Sequence, residues 1–373
     1  MPTITRVHAE PLTDAAATTA VREVLSRFFE PLKAARLAIS APSRPGLSGA
    51  PVWLVHDAAT KARFVLKQVA ADQVSELVAW RHALLFHLHA SAADLVGCPI
   101  LVRKTVPGAD SCPTVLDTAG DGHWQLLHWR PGAAISQPTR SEVAAAVAAV
   151  ARLHQAAARF AIPWPGQSGK GWAVRTTQLA ALAADGWPVS RHPPTTDLQR
   201  TVAPVAEQAA AIFADCGGHD IALRWAAMQP PPLPVQPVLR DLWWGHVLFS
   251  AASPGQRHVT GVIDFDAAGV DTPATDLARL LGSLQLHGGN PDMVLAAAWP
   301  EAVAAYAATA RPPQTFWDWV QRYHDTAVVC GLAQWCCWIL AEARVFPHTV
   351  TVTGRITALL RGLPAALHRL GTV

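Results

Sequence analysis

Three aspartates in one short stretch of this 373-residue chain have the spacing that phosphoryl transfer requires. Asp241 precedes the apolar run 246–249, and a second apolar run, 259–263, ends directly before Asp264, with Asp266 close behind. Two neighbouring strands would therefore present Asp241 and Asp264 at one end of a small sheet. Phosphoryl transfer needs one carboxylate to orient the attacking hydroxyl and a second to hold a metal ion on the phosphates, and these two aspartates fit those roles.

The segment LRDLWWGHVLF at 239–249, followed by IDFD at 263–266 and DLA at 276–278, resembles the catalytic core of aminoglycoside phosphotransferase and choline kinase-like enzymes. Their pattern is HGD[LHF]xxxN[VIL]L, then ID[FW][DEG] and D[LVI]A. The resemblance implies that Asp241 is the catalytic base, Asp264 the metal ligand and Asp276 a buried structural residue. It also implies that the cofactors are ATP and Mg2+, with Mn2+ as an alternative ion.

Two positions depart from that pattern. Leu239 stands where the family has a histidine that supports the loop, and His246 stands where it has the asparagine that shares the metal. Imidazole is a poor magnesium ligand, because Mg2+ prefers carboxylate, amide and water oxygens. Three interpretations of His246 stay open: Asp264 alone holds one magnesium ion, His246 contacts a phosphate oxygen, or His246 and Asp264 bind a softer ion. The string RDLWWGHVLF is also similar to a bacterial subgroup with RD[ILV]WxxHVLF, which makes the histidine a trait of that subgroup.

The N-terminal third contains candidates for two further parts of such a kinase. In PGLSGAPVW at 45–53, Gly46 and Gly49 permit close approach of the backbone to a phosphate, and Ser48 offers a hydroxyl and an amide. The same composition also fits an ordinary hairpin turn. The apolar runs 52–55 and 64–69 are predicted to form two strands, and Lys67 lies in the second, within FVLK. The resemblance implies that this lysine pairs with the phosphates.

The helix partner of Lys67 is ambiguous in the sequence. Glu76 lies nine residues further on (76 − 67 = 9), whereas the resemblance puts the partner glutamate near His82. Glu76 is therefore a candidate for pairing with Lys67, and the alternative is that Lys67 is positioned without an ion pair.

A second apolar strand is predicted within WQLLHWRPG at 124–132. It resembles the connector between the lobes of these kinases, where backbone groups meet the edge of adenine. The resemblance implies that Leu126, Leu127 and Trp129 bind the nucleotide in this way, and an ordinary core strand is a compatible interpretation.

The second half of the chain is dominated by helical periodicity. Thr139 and Glu142 form a TxxE capping box before a long alanine-rich helix, in which His154 is expected to make structural hydrogen bonds. Further helical segments are predicted at 197–227, 276–286, 292–310, 317–343 and 355–370.

Strands cluster early and helices late, which predicts an α+β protein, and the resemblance implies the bilobal protein-kinase-like fold. Residues 1–128 would form a small N-terminal β-rich lobe, a helix plus an antiparallel sheet, that binds the nucleotide. Residues 129–373 would form a larger, mainly helical C-terminal lobe with the catalytic loop and the acceptor site.

The composition is that of a soluble globular protein, with 51% hydrophobic and 15% charged residues. The net charge is +3 (30 − 27), and the basic residues are dispersed, so neither a nucleic acid nor a membrane is expected as a partner. The N-terminal segment lacks a signal-peptide core, and the longest apolar run, 327–343, is interrupted by Gln334. The six cysteines include no CxxC pair. We therefore expect a cytoplasmic protein without a zinc site or a disulfide framework.

The resemblance places the acceptor between the catalytic loop and the C-terminal helices, with Trp243, Trp244 and Asp266 as candidate contacts. Acidic residues are sparse in that region, which disfavours a polycationic aminoglycoside and leaves a sugar, an amino alcohol or another small hydroxyl compound open. The alternative function is a catalytically weak or inactive kinase-like module that binds a nucleotide or a protein partner. Leu239 and His246 motivate that alternative.

Overall fold

The structure is a computed structural model that describes residues 14–40, 51–69, 75–101, 115–118, 122–190, 192–284, 291–313, 315–346 and 348–372. The chain divides into two compact units. The smaller unit comprises residues 1–82 and 97–129, and the larger unit comprises residues 83–96 and 130–373.

The smaller unit contains an antiparallel sheet with strand order β1-β2-β3-β5-β4. Its strands are β1 (Ala38–Ser40), β2 (Val52–His56), β3 (Arg63–Val69), β4 (Val115–Thr118) and β5 (Gly122–His128). Its helices are α1 (Asp14–Phe28), α2 (Pro31–Arg36) and the first part of α3 (Ser75–Ser91), whose remaining residues belong to the larger unit.

The two faces of β3 pack against different helices of the smaller unit. Phe64 and Leu66 are buried in one core cluster with Leu25 of α1. Val69 lies on the opposite face, because successive strand residues alternate, and it packs against Val78 of α3. Lys67 has the same parity as Val69, so its side chain lies on the α3 face of the sheet.

The larger unit is mainly helical. Its helices are α4 (Arg140–Ala157), α5 (Lys170–Asp185), α6 (Asp197–Asp215), α7 (Gly218–Ala226), α8 (Pro273–Gly282), α9 (Pro291–Ala310), α10 (Phe316–Cys336) and α11 (Thr349–Gly371). Two antiparallel strand pairs complete it, formed by β6 (Gln236–Val238) with β9 (Gly269–Asp271) and by β7 (Val247–Phe249) with β8 (Val259–Val262).

The predicted capping box at the start of α4 is confirmed. The Glu142 amide donates to Thr139 Oγ1 at 3.3 Å, and the Thr139 amide donates to Glu142 Oε2 at 2.7 Å. The other oxygen, Oε1, accepts from the Gly255 amide at 3.0 Å, in the turn between β7 and β8. Burial opposes the charge of Glu142, but these hydrogen bonds outweigh it and lower the pKa of the carboxyl group. One carboxylate thus caps a helix and fixes a distant hairpin.

Several of the predicted helical segments have different bounds in the structure: α10 ends at Cys336 rather than at residue 343, and α11 begins at Thr349 rather than at residue 355. The segment predicted at 197–227 is two helices, because Gly217 adopts a left-handed conformation, with φ of 67°, between α6 and α7. The helix predicted from residue 276 begins at Pro273, because proline suits the first helical turn. Thr272 caps this end, and its side-chain oxygen accepts a hydrogen bond from the Ala274 amide at 3.4 Å.

A small antiparallel sheet unit and a mainly helical unit are what the sequence predicts for the fold class. Among the described residues, no helix combines the length and the apolar character needed to cross a bilayer.

Candidate active site

The two aspartates predicted to carry the chemistry lie at the ends of short strands in the larger unit. Asp241 follows β6 on the loop that leads to β7, and Asp264 follows β8. The backbone is left-handed beside or at each of them, with φ of 63° at Arg240 and 66° at Asp264. A non-glycine residue in this conformation costs about 1–3 kcal/mol, which the surrounding contacts must offset. Such strained residues concentrate at functional sites.

Asp276 of α8 holds the loop that carries Asp241. Its carboxylate is fully buried and accepts from the Leu239 amide at 2.8 Å and the Arg240 amide at 2.7 Å. His154 lies against the same carboxylate, with Nε2 at 3.1 Å, and its Nδ1 is 2.9 Å from the Tyr306 hydroxyl. Burial and the nearby Asp276 charge raise the pKa of Tyr306, which stays a neutral phenol. The structural roles predicted for Asp276 and His154 are confirmed.

His246 connects the Asp241 loop to Asp264. Its Nδ1 lies 3.0 Å from the Asp241 carbonyl oxygen, and its Nε2 lies 3.4 Å from Asp264 Oδ2. The Trp243 indole Nε1 donates to the same Nε2 at 2.5 Å. Gly245 lies against the Trp243 ring, where the Cβ of any other residue would collide with it.

These contacts indicate which nitrogen of His246 carries the proton when the ring is neutral. An indole N–H only donates, so Nε2 of His246 is the acceptor of the Trp243 hydrogen bond. The ring proton is then on Nδ1, from which it donates to the Asp241 carbonyl oxygen. The Nε2 lone pair therefore points at the indole N–H.

The Asp241 carboxylate is paired with Arg279 of α8. Arg279 donates to Oδ1 through Nη2 at 2.7 Å and through Nε at 3.1 Å, and both side chains are about half exposed. Within the described part of the chain, Oδ2 accepts no hydrogen bond and can take one from a substrate hydroxyl.

A cavity of about 340 Å³ adjoins this ion pair in the larger unit. Trp243 and Arg279 form its wall on the side of Asp241, and Trp335 and Arg355 line it from α10 and α11. A larger cavity of about 460 Å³ lies against α5, α6 and α7, but no residue of the 239–278 segment lines it. The smaller cavity is therefore the candidate acceptor site.

Of the three residues predicted to contact the acceptor, only Trp243 lies at the wall of the cavity described above. Trp244 is fully buried, donates to the Ile135 carbonyl oxygen at 2.6 Å, and does not line the cavity. Asp266 is partly exposed beyond Asp264 and also lies outside the lining.

Lys67 of the smaller unit is half-buried on the α3 face of the sheet and lies opposite Gln125 of β5. Gln125 Oε1 is 2.6 Å from Nε2 of buried His82 on α3. Glu76 is exposed in the first turn of α3 and makes no ion pair with Lys67 among the described residues. The position near His82, rather than Glu76, thus faces the strand pair that carries Lys67.

The backbone of the predicted connector already makes hydrogen bonds within the smaller unit. The Ile100 amide donates to the Leu126 carbonyl at 2.8 Å, and Leu127 forms a bridge with Pro99. The Trp129 amide donates to the Arg63 carbonyl at 2.9 Å, while its own carbonyl accepts no donor from the described residues. Among the described residues, the Trp129 carbonyl is thus available to a ligand, whereas the Leu126 carbonyl is already bonded and Leu127 is paired with Val65 and Pro99. Gly46, Ser48 and Gly49 lie outside the described residues.

The sequence analysis missed several polar residues around the site. Arg279 lies three residues after Asp276 on the same helix, a spacing that places both on one face and could have identified it. Arg175 and Arg355 line the cavity from helices that are far apart in the chain, so no local sequence pattern predicts their position at the site.

Comparisons with known proteins give a family match and a set of similar folds. A family model described as "Phosphotransferase enzyme family" matches residues 43–320. No curated protein sequence matches the chain.

Among solved structures, the chain is similar to an amicoumacin kinase in complex with AMP-PNP, Ca2+ and Ami, with a TM-score of 0.60 and 11% identity over 94% of this chain and 95% of that one. An aminoglycoside phosphotransferase from Alicyclobacillus acidocaldarius subsp. acidocaldarius DSM 446 gives a TM-score of 0.54 and 16% identity over 99% of both chains. An ethanolamine kinase from Plasmodium vivax gives a TM-score of 0.55 and 10% identity over 95% of this chain and 91% of that one. The fold is therefore that of the protein-kinase-like phosphotransferases, which confirms the predicted fold class.

Proposed function

Since the chain belongs to the phosphotransferase enzyme family, whose model covers residues 43–320, we propose that it transfers the γ-phosphoryl group of ATP to a hydroxyl group of a small molecule. Family membership confirms the resemblance found in the sequence and the enzyme class that it implied. The observation that carries the specific proposal is the contact of one residue, His246, with both the Asp241 carbonyl and the Asp264 carboxylate, at 3.0 Å and 3.4 Å.

Asp241 acts as the base in this proposal. Its Oδ2 accepts the proton of the acceptor hydroxyl while the hydroxyl oxygen forms a bond to the γ-phosphorus. The bond between that phosphorus and the β–γ bridging oxygen breaks, and ADP leaves with the electron pair. Arg279 holds Oδ1 at 2.7 Å and so fixes the direction in which Oδ2 points.

Asp264 is the proposed metal ligand. Its carboxylate is 37% exposed, as an ion that keeps water ligands and also contacts phosphates requires. His246 fits a positioning role better than ligation, because its Nε2 lone pair accepts the Trp243 N–H. A divalent ion on Asp264 would neutralise phosphate charge, and Mg2+ suits a carboxylate and water donor set, with Mn2+ as the second candidate.

Lys67 is proposed to pair with the phosphates from the smaller unit. The His82 imidazole and the Gln125 amide contact each other beside Lys67 on the α3 face, and they are proposed to help position the lysine. The Trp129 carbonyl is the proposed adenine contact, and Gly46, Ser48 and Gly49 stay the proposed phosphate-covering turn.

The decisive experiment is a thermal-shift titration with ATP in the presence and absence of Mg2+ or Mn2+. We expect metal-dependent stabilisation in the natural protein and in Asp185→Ala, which removes an exposed carboxylate at the end of α5. Asp264→Ala should lose the metal dependence. Asp241→Asn should leave the affinity for ATP within a few-fold of the natural value. It should lower turnover by about 10²- to 10⁴-fold, since the base acts only on the acceptor.

Two outcomes would contradict the proposal in different ways. Loss of nucleotide binding in Asp241→Asn would remove Asp241 from the acceptor side. A protein that shows no shift with ATP under either metal would be the non-catalytic module, and the search would move to protein partners.

A further inference from the structure

The charge of the acceptor cavity is one-sided. Three arginines line it, and none of the described residues that line it is an aspartate or a glutamate. The arginines come from three separate helices, since Arg175 lies on α5, Arg279 on α8 and Arg355 on α11. Three distant segments therefore converge on one small volume with the same charge.

Two of the three guanidinium groups form no direct ion pair with a described residue, although Asp271 lies near Arg175 and Asp241 near Arg355. Arg279 pairs with Asp241. Arg175 and Arg355 have no ion-pair partner among the residues that the structure describes, and neither is fully exposed to solvent. Partly buried charges of this kind are normally paired, because removing them from water is costly.

The surroundings of Arg355 fix its position. Its guanidinium lies over the Trp243 ring at 5.6 Å and the Trp335 ring at 5.9 Å, and both rings line the cavity. Burial, and then the nearby charge of Arg279, lower its pKa to about 10. The group is still cationic at neutral pH, and an anion beside it would relieve both effects.

Arg175 lines the same cavity and, within the described residues, has one unsatisfied donor. Its Nη1 donates to the Gly171 carbonyl at 2.8 Å, but its buried Nε–H has no acceptor in the described part of the chain. Burial is the main cause of the lowered pKa of this guanidinium as well. Buried donors without an acceptor are rare in folded proteins and call for an explanation.

We infer, building on the proposed function, that the acceptor is a small anion: a hydroxyl compound that also carries a carboxylate or phosphate group, bound by Arg355 and Arg175 with its hydroxyl toward Asp241. Guanidinium groups match planar and tetrahedral oxyanions through paired hydrogen bonds. The volume of about 340 Å³ suits a small molecule. Trp243 and Trp335 offer flat apolar surfaces to its carbon skeleton.

The first test measures anion binding without turnover. Thermal shifts are recorded with malonate, inorganic phosphate and chloride at equal ionic strength, with AMP-PNP and Mg2+ present to occupy the nucleotide site. We expect saturable stabilisation by malonate or phosphate but not by chloride. Arg355→Gln should weaken that binding by about tenfold to a hundredfold, the value of a charged hydrogen bond. Arg355→Lys should restore part of it, and Arg361→Gln, which removes an exposed arginine on the same helix, should change nothing.

The two oxyanions distinguish the possible sources of the anionic group. Stabilisation by malonate alone assigns a carboxylate, and stabilisation by phosphate alone assigns a phosphate ester. Shifts that equal those of chloride, or shifts that are the same in Arg355→Gln and the natural protein, overturn the inference. Failure of AMP-PNP to bind would instead count against the proposed function, which requires a nucleotide site. The anion titration can then be repeated without nucleotide, so the two failures are distinguishable.

The second test compares matched acceptors by ADP release. The pairs are glycerate with glycerol, and gluconate or glucose 6-phosphate with glucose, beside ethanolamine and kanamycin as cationic compounds. Faster turnover of an anionic member, with a rise in its KM in Arg355→Gln, supports the inference. Preferential phosphorylation of ethanolamine or kanamycin would overturn it while leaving the kinase function intact, and if no probe is turned over the binding test decides.

Discussion

Replacement of Asp276 by asparagine tests whether one buried carboxylate fixes the catalytic loop. The carboxylate accepts from the amides of Leu239 and Arg240 at 2.8 Å and 2.7 Å and contacts His154 at 3.1 Å. Asparagine keeps the volume but has a single acceptor oxygen, so its amide N–H₂ must face at least one backbone N–H. The protein loses a hydrogen bond to a charged group, worth about 1.5–3 kcal/mol, and leaves a buried amide unpaired at about 1–3 kcal/mol.

Together these two losses should lower the stability of the folded loop by about 3–5 kcal/mol, the range for breaking a buried charged network. The loss should be largest at Arg240, because its left-handed backbone, with φ of 63°, needs contacts that offset the strain. We expect turnover to fall sharply while the KM for ATP changes little. The loop carries the proposed base Asp241, whereas Lys67, which is proposed to pair with the phosphates, lies in the other unit.

Hydrogen exchange measured by mass spectrometry on the peptide that contains residues 236–249 is the direct assay. A local destabilisation of about 3 kcal/mol accelerates exchange of these amides by about a hundredfold or more. A local probe is preferable to a melting curve, because a chain with two units need not unfold in one step. Asp185→Asn, an exposed carboxylate at the end of α5, is the control that should leave the peptide unchanged. Unchanged exchange and turnover in Asp276→Asn would refute the assigned role.

Two further predictions concern histidines of the larger unit. His246→Asn should keep a donor near the Asp241 carbonyl oxygen but remove Nε2. If His246 only positions the loop, the preference for Mg2+ over Mn2+ in steady-state assays should stay the same. A shift of that preference toward Mg2+ would instead indicate that His246 is a metal ligand. His324 is buried, and burial followed by the Arg369 charge lowers its pKa from 6.5 to about 4. The folded protein therefore binds this proton less readily than the unfolded chain, and up to about 3 kcal/mol of stability should be lost as pH falls from 6.5 toward 4. His324→Gln should flatten that part of a plot of melting temperature against pH, and an unaltered slope would contradict the assignment.

The elements with strong local signals were predictable. β2 and β3 have the bounds that their apolar runs indicated to within a residue or two, and Thr139 with Glu142 announced the start of α4. The segment from Asp241 to Asp276 was identified because its residue types are dictated by chemistry and its spacing by two short strands. Local propensity and function agree in these places.

Other elements lacked such signals. α5 begins after Gly169, which has φ of 66° and supplies no side-chain cap, so nothing in the sequence marks its start. β6 and β9 are strands of only three residues, which pair with each other from distant parts of the segment 236–271. β6 also contains Pro237, and a proline argues against predicting a strand from the sequence.

The polar scaffold of the site depends on contacts between distant segments. The Gln125 contact with His82 follows from strand register and from the placement of α3, neither of which is written in neighbouring residues. The convergence of Arg175 and Arg355 likewise depends on how α5 and α11 pack around the cavity. A sequence pattern can identify residues that share a strand or a helix face, but not those that meet only through tertiary packing.

In the proposed reaction, Trp243 would make binding of the acceptor and binding of the metal–nucleotide complex thermodynamically dependent on each other. One face of its ring lies beneath Arg355 at the cavity wall, and its indole N–H holds the imidazole that contacts Asp241 and Asp264. An acceptor that displaces this ring must disturb the imidazole and, through it, the carboxylate proposed for the metal. Linkage is reciprocal, so whatever factor the acceptor applies to the affinity for metal–nucleotide, the metal–nucleotide complex applies to the affinity for the acceptor. In the proposed reaction, the coupling between the two substrates would then pass through a single tryptophan.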